Sequence, residues 1–185
     1  MREQLSEDSF DIGVIASFGK MVPDHIIDAF PSGMLVMHPS LLPKYRGPCP
    51  IQRAILNQDE FTGTSVIEIT KGVFDAGDIL AQSQNIPITE ETRFRDLSVR
   101  LAELGGDLLA DILANGDTSL NHFREKSCKQ EGPPTMARMI KESLGELSFS
   151  ELHGEKIQVR FNALDGSNTR PSAAFHITPD ADPPL

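Results

Sequence analysis

The sequence contains little cysteine, the residue that forms disulfides in small domains and often binds metal ions. Two of its 185 residues are cysteine, Cys49 and Cys128, and their spacing fits no zinc-binding pattern. Two cysteines are too few for a disulfide scaffold. We therefore predict two free thiols and no bound metal.

Positive charge and large aromatic side chains are also scarce. The chain has 17 Lys and Arg against 27 Asp and Glu, a formal net charge of −10, one tyrosine and no tryptophan. Nucleic-acid-binding proteins neutralise phosphates with clustered basic residues and stack bases on aromatic rings. The composition therefore argues against a structural nucleic-acid-binding protein, but it does not exclude an RNA substrate held by a local basic patch.

Long apolar runs are missing as well. No stretch reaches the roughly 18 apolar residues of a membrane-spanning helix. Residues 1–10 are acidic and polar, unlike the apolar centre of a signal peptide or an Arg-rich transit peptide. We therefore expect no membrane association.

Short apolar runs alternate with helical patterns in the first two thirds of the chain. Strands are predicted over residues 11–16, 34–38, 64–69 and 79–81. Helices are predicted over residues 23–30, 51–57 and 92–115. This alternation indicates an α/β fold with a doubly wound, mainly parallel sheet.

Two titratable residues stand where such sheets bind ligands. His38 ends a predicted strand, and Asp75 lies in a Gly/Asp loop after a later strand. Open α/β sheets bind ligands beyond the carboxyl ends of their strands. An Asp can orient a His or keep it protonated. A loop histidine and a turn-forming aspartate are simpler interpretations, and the residues alone leave both possibilities open.

Two motifs resemble those of the folate-dependent formyltransferase family. Residues 35–51, Leu-Val-Met-His-Pro-Ser-Leu-Leu-Pro-Lys-Tyr-Arg-Gly-Pro-Cys-Pro-Ile, are similar to its Asn-x-His-x-Ser-Leu-Leu-Pro signature and the basic loop that follows. Residues 74–80, Phe-Asp-Ala-Gly-Asp-Ile-Leu, are similar to its Asp-x-Gly signature. Order and spacing agree over roughly residues 11–164. Within the family, the loop more closely resembles members that act on initiator methionyl-tRNA, and residues 16–19 resemble the mitochondrial form.

The resemblance implies a Rossmann-like formyltransferase sheet and a definite chemistry. Such an enzyme moves a formyl group from the cosubstrate 10-formyltetrahydrofolate to the amino group of methionine on initiator tRNA, without a metal. It also implies a mitochondrial location, and we expect a monomer.

The resemblance further implies roles for particular residues. His38 matches the catalytic histidine, which stabilises the oxyanion. Asp75 matches the catalytic aspartate, which biases that histidine toward its charged form and orders a proton-carrying water. The segment that lines the folate site corresponds to Ser40, Leu41, Leu42 and Pro43.

One residue departs from the family pattern. The asparagine expected two positions before the histidine is Val36 here. Alternation along a strand places positions 36 and 38 on one face, so an oxyanion donor is missing. Such a loss costs about 10²–10³ in rate, and we expect impaired activity. A non-catalytic protein that binds folate or a partner, or a formyltransferase with another amine acceptor, stays as an alternative.

The same comparison predicts the domain organisation. We expect an incomplete formyltransferase catalytic domain over residues 1–116 and a linker over residues 117–146. Residues 147–185 are expected to hold the truncated start of a C-terminal barrel domain and a disordered tail rich in Pro and Asp.

Overall fold

The computed structural model describes residues 10–114, 117–141, 147–148, 154–166 and 177–178. Strands β1 to β6 cover Gly13–Ala16, Met34–His38, Phe61–Thr62, Ser65–Glu68, Ile79–Gln82 and Ile86–Pro87. Helices α1 to α5 cover Asp24–Ile27, Pro50–Leu56, Phe94–Leu113, Asp117–Glu125 and Gly154–Leu164. Two short strands, β7 (Leu147–Ser148) and β8 (Ile177–Thr178), pair in parallel.

Four strands form the central sheet in the order β1-β2-β4-β5. Strands β1 and β2 are parallel, whereas β4 runs antiparallel to both of its neighbours. The α/β class is confirmed, but the described sheet is mixed rather than mainly parallel. Residues 69–78 join β4 to β5 without a helix. Since parallel neighbours need a long crossover connection, this short loop makes β5 antiparallel to β4.

Apolar side chains on one face of the sheet are covered by helix α3. Leu35 of β2 and Val66 of β4 are fully buried and pack with Ile112 of α3. The spacing of leucines and isoleucine along α3 predicts this buried face. Gly105 lies in the middle of α3, where a Cβ atom would come within 2.5 Å of the Met37 side chain. Glycine there lets the helix approach β2 closely, although it lowers helix propensity.

Helix α1 is shorter than predicted. It covers a single turn, and the chain continues to Phe30 through hydrogen bonds of the i to i+3 type, from Ala29 N to Ile26 O and from Phe30 N to Ile27 O. Such bonds are common where an α-helix tightens at its end.

The predicted linker contains regular structure in its described part. Helix α4 lies within it, and Leu120 and Phe123 of this helix pack on the cluster around Leu35. Their three-residue spacing gives an otherwise polar segment one apolar stripe. Most of the predicted tail lies outside the described residues. No helix in the described part of the chain is both long and apolar enough to cross a membrane.

Candidate active site

His38 ends β2 and is held by the loop that follows it. The side chain is buried, and its Nε2 atom lies 2.8 Å from the carbonyl oxygen of Tyr45. A carbonyl oxygen can only accept a hydrogen bond, so Nε2 is the atom that carries hydrogen. Tyr45 has φ of 64°, in the left-handed region, which turns its carbonyl toward the imidazole. Neutral His38 therefore has its lone pair on Nδ1.

Asp75 approaches His38 from the loop between β4 and β5. Its Oδ2 atom lies 3.6 Å from Nδ1 of His38 and accepts a hydrogen bond of 2.8 Å from the Gly47 backbone N–H. Asp75 has φ of 49°, a conformation that Asp adopts more readily than most residues. The structure thus brings His38 and Asp75 together. Their catalytic roles stay predictions.

Burial and charge act on His38 in opposite directions. Burial lowers the pKa of His38 below its ordinary value of 6.5, while the charge of Asp75 and the Tyr45 carbonyl raise it. The desolvation of the imidazolium is the larger effect. The sequence led us to expect a bias toward the charged form. Asp75 does act in that direction, but burial outweighs it and the imidazole is mainly neutral at pH 7.

A cavity of about 350 Å³ borders the two residues. His38 and Asp75 contribute to its wall, together with the cation Lys20. Most of the remaining wall is apolar and includes Ile15, Met21, Val36, Ile69, Val73 and Phe74. A largely apolar cleft of this size with a few polar groups is typical of small-molecule sites.

Val36 lies on the same cavity wall as His38, as the alternation along β2 requires. It is partly buried and packs against Leu42, Ile67 and Ile79. Its side chain offers no hydrogen-bond donor to the cavity. The position where the resemblance implies an asparagine is therefore apolar in this chain.

The segment predicted to line the folate site does not line this cavity. Ser40 is buried, and its hydroxyl donates to the Lys44 carbonyl at 2.6 Å. Leu42 is also buried, and its N–H donates to the Ser65 hydroxyl at 3.1 Å. None of Ser40, Leu41, Leu42 and Pro43 is among the residues of the wall. Their role in folate binding stays a prediction, whereas in the structure they brace the loop after β2.

Three groups near the site were not predicted from the sequence. The Tyr45 carbonyl holds His38, the Gly47 N–H holds Asp75, and the Gln130 side chain holds the loop of Asp75. Gly47 has φ of 111°, and glycine beside proline is a signal of unusual backbone. A backbone carbonyl and a lone glutamine carry no comparable signal.

No group of three or more His, Cys, Asp or Glu side chains able to hold a metal ion is present among the residues that the structure describes.

Comparison with known proteins shows the family to which the chain belongs. The formyl transferase family model matches residues 1–113. The mouse mitochondrial methionyl-tRNA formyltransferase is 40% identical over 115 residues, which are 62% of this chain and 30% of that protein. The enzyme of Dictyoglomus thermophilum is 42% identical over 164 residues, which are 83% and 47%. The chain therefore spans less than half the length of these two relatives.

Solved structures agree with the sequence relationship. HypX from Aquifex aeolicus, in complex with tetrahydrofolic acid, superposes with a TM-score of 0.72 over 92% of this chain and 28% of that one, at 17% identity, which supports the fold alone. Phosphoribosylglycinamide formyltransferase from Bacillus halodurans is 29% identical with a TM-score of 0.52, covering 58% of this chain and 54% of that one. The resemblance seen in the two motifs is confirmed, and the chain belongs to the formyl transferase family.

Proposed function

We propose that this chain transfers a formyl group from 10-formyltetrahydrofolate to the amino group of initiator methionyl-tRNA, at a reduced rate. The observation that carries the proposal is the pairing of His38 with Asp75 on the wall of a cavity, in a chain of this family. The names of the relatives support methionyl-tRNA as the acceptor. The mitochondrial names among them support a mitochondrial location.

The chemistry of the cavity wall suits the donor. Its apolar wall suits a flat heteroaromatic ring, which Met21, Val73 and Phe74 would contact. Lys20 on the same wall would attract an anionic part of the donor. When bound, the donor supplies a formyl carbon open to attack by an amine.

His38 would manage the proton that the amine loses. Nε2 is engaged by the Tyr45 carbonyl, so Nδ1 is the nitrogen left for reaction. In the neutral imidazole, Nδ1 can accept a proton. The imidazolium formed would be stabilised by Asp75 at 3.6 Å and by the Tyr45 carbonyl. Its Nδ1–H would then be a donor for negative charge that develops on the formyl oxygen. As the bond between the formyl carbon and the folate nitrogen breaks, this proton would pass to that nitrogen, which releases tetrahydrofolate and restores neutral His38.

Val36 is the reason that we expect a reduced rate of formyl transfer. Without an amide beside His38, negative charge on the formyl oxygen has one donor fewer in this chain than in the family pattern. Losing one such donor costs about 10²–10³ in rate. The same residue favours the alternative of a non-catalytic protein that binds folate or a partner. A formyltransferase for another amine is a further alternative, because the donor-side residues do not define the acceptor.

The test is single-turnover transfer of labelled formyl from 10-formyltetrahydrofolate to methionyl-tRNA by the full chain. We expect slow transfer that His38→Ala abolishes. Binding of the donor without transfer by the folded chain would support the non-catalytic alternative. Transfer to a small amine but not to methionyl-tRNA would support the alternative of a formyltransferase with another amine acceptor. Transfer that is unaffected by His38→Ala would contradict the proposed site.

A further inference from the structure

A segment that is distant in sequence from the two motifs contacts both loops of the site, the loop after β2 and the loop between β4 and β5. We call residues 127–137 the strap. It contacts the loop after β2 through backbone hydrogen bonds from Arg46 N to Thr135 O at 2.9 Å and from Ala137 N to Arg46 O at 2.6 Å. It contacts the end of the Asp75 loop through paired bonds between Cys128 and Ile79 at 2.8 and 3.0 Å.

Gln130 is the strap residue that reaches Asp75. Its Nε2 atom donates to the carbonyl oxygens of Asp75 at 2.8 Å and Gly77 at 2.9 Å. Its Oε1 atom accepts from Nε of Arg46 at 3.0 Å and from Nη2 at 2.6 Å. Both hydrogens of the amide and its oxygen are therefore used, and this fixes the orientation of the side chain.

The hydrogen bonds of Gln130 act next to a second restraint on Asp75, the bond from the Gly47 N–H. Arg46 precedes Gly47, whose N–H holds the Asp75 carboxylate. Gln130 holds the Asp75 carbonyl and also binds Arg46. The backbone carbonyl and the side-chain carboxylate of Asp75 are therefore both held, one indirectly and one directly, by residues 46–47 of the loop after β2.

The restraint opposes a backbone preference. Asp75 has φ of 49°, in the left-handed region, where the Cβ atom of an L-residue comes close to the following carbonyl oxygen. Without the bond to its carbonyl, the residue would relax toward negative φ. Such a rotation would carry the carboxylate away from Nδ1 of His38.

We propose that Gln130 is a positioning residue that holds the Asp75 carboxylate against the imidazole of His38. Its effect on catalysis rests on the proposed function, but its effect on the geometry does not. The charged residues described on the cavity wall with His38 are Asp75 and Lys20, so the electrostatic coupling of His38 to Asp75 reports on this geometry.

The test measures that coupling by NMR titration of His38 in the full chain, with His38→Gln to assign the resonance. Asp75→Asn should lower the pKa of His38 in the otherwise unaltered chain. In the Gln130→Met background, the same Asp75→Asn change should have much less effect. Lys129→Met is the matched control, because Lys129 is the adjacent strap residue and pairs with Asp78 at the surface.

An equal effect of Asp75→Asn in the Gln130→Met and unaltered backgrounds would overturn the proposal, as would a loss of coupling in Lys129→Met. If Gln130→Met does not fold, Arg46→Met takes its place, since it removes the group that orients Oε1. A partial loss of coupling in that variant supports the proposal, and full coupling overturns it.

A second readout separates this inference from the proposed function. Where the chain transfers formyl, Gln130→Met should lower the rate about as much as Asp75→Asn, with Lys129→Met unchanged. Where the chain transfers no formyl, the titration still decides the role of Gln130.

Discussion

Nδ1 of His38 lies 3.6 Å from Oδ2 of Asp75, although one residue ends β2 and the other lies in the loop between β4 and β5. The carboxylate is held by the Gly47 N–H, and the far side of the imidazole is held by the Tyr45 carbonyl. The pair therefore forms where the loop between β4 and β5 reaches the end of β2, and both groups that hold it come from the loop after β2.

The buried imidazole makes stability depend on pH. The pKa of His38 is lowered in the folded chain, so the unfolded chain binds more protons below its ordinary pKa of 6.5. The stability of the folded state should be fully present above that value and fall as the pH drops toward the folded pKa. Urea unfolding at about pH 7.5 and about pH 5.5 measures this loss.

His38→Gln is the control for that prediction, because it removes the titrating group. It should reduce the loss of stability between the two pH values, whereas His25→Gln, at an exposed position, should not. An unchanged loss in His38→Gln would show that another group is responsible.

Gly77 should tolerate no side chain. A Cβ atom there would lie 1.6 Å from the Glu68 carbonyl oxygen, a clash with backbone that only movement of the Asp75 loop could relieve. We expect Gly77→Ala to destabilise the chain by about 3 kcal/mol or more, at the large end of single-substitution effects. Thermal and urea unfolding would measure the change.

Gly106 provides the matched control. It lies in α3 with nothing within 4 Å of an added Cβ, and alanine has the higher helix propensity. Gly106→Ala should therefore stabilise the chain by about 0.5–1 kcal/mol. Similar effects of the two substitutions would contradict the packing described for the Asp75 loop.

Val36→Asn should restore a donor to the cavity wall. Since one oxyanion donor is worth about 10²–10³ in rate, we expect single-turnover formyl transfer to rise by about that factor. Val36→Leu, similar in size to asparagine but apolar, should give no increase. Equal rates for the unaltered chain and Val36→Asn, with both folded, would remove the role given to position 36.

The sequence predicted the four strands of the central sheet from their apolar runs, and its two motifs brought His38 and Asp75 forward. Hydrophobic periodicity does not report strand direction, so the reversed direction of β4 relative to its two neighbours was not predicted. The Tyr45 carbonyl and Gly47 N–H act through backbone atoms, which leave little trace in residue identity. Gln130 lies in a polar segment interpreted as linker, and only the folded chain brings it to Asp75.

The position of residues 40–43 relative to the cavity also could not be predicted from the sequence. They begin two residues after His38, yet the chain turns away from the cavity after Pro39. Ser40 and Leu42 are buried by contacts with the loop after β2 and with β4. Proximity in sequence therefore did not place them on the same cavity wall as His38.

The central claim is that the cavity beside His38 and Asp75 binds the folate donor, and calorimetric titration with a stable 10-formyltetrahydrofolate analogue tests it most directly. Phe74 lines the cavity and Phe61 does not, while both side chains are similarly exposed, at 43% and 45%. We predict saturable binding at one site, weakened about tenfold by Phe74→Ala through lost apolar contact and unchanged by Phe61→Ala. No binding by the folded chain, or equal weakening by the two substitutions, would contradict the account.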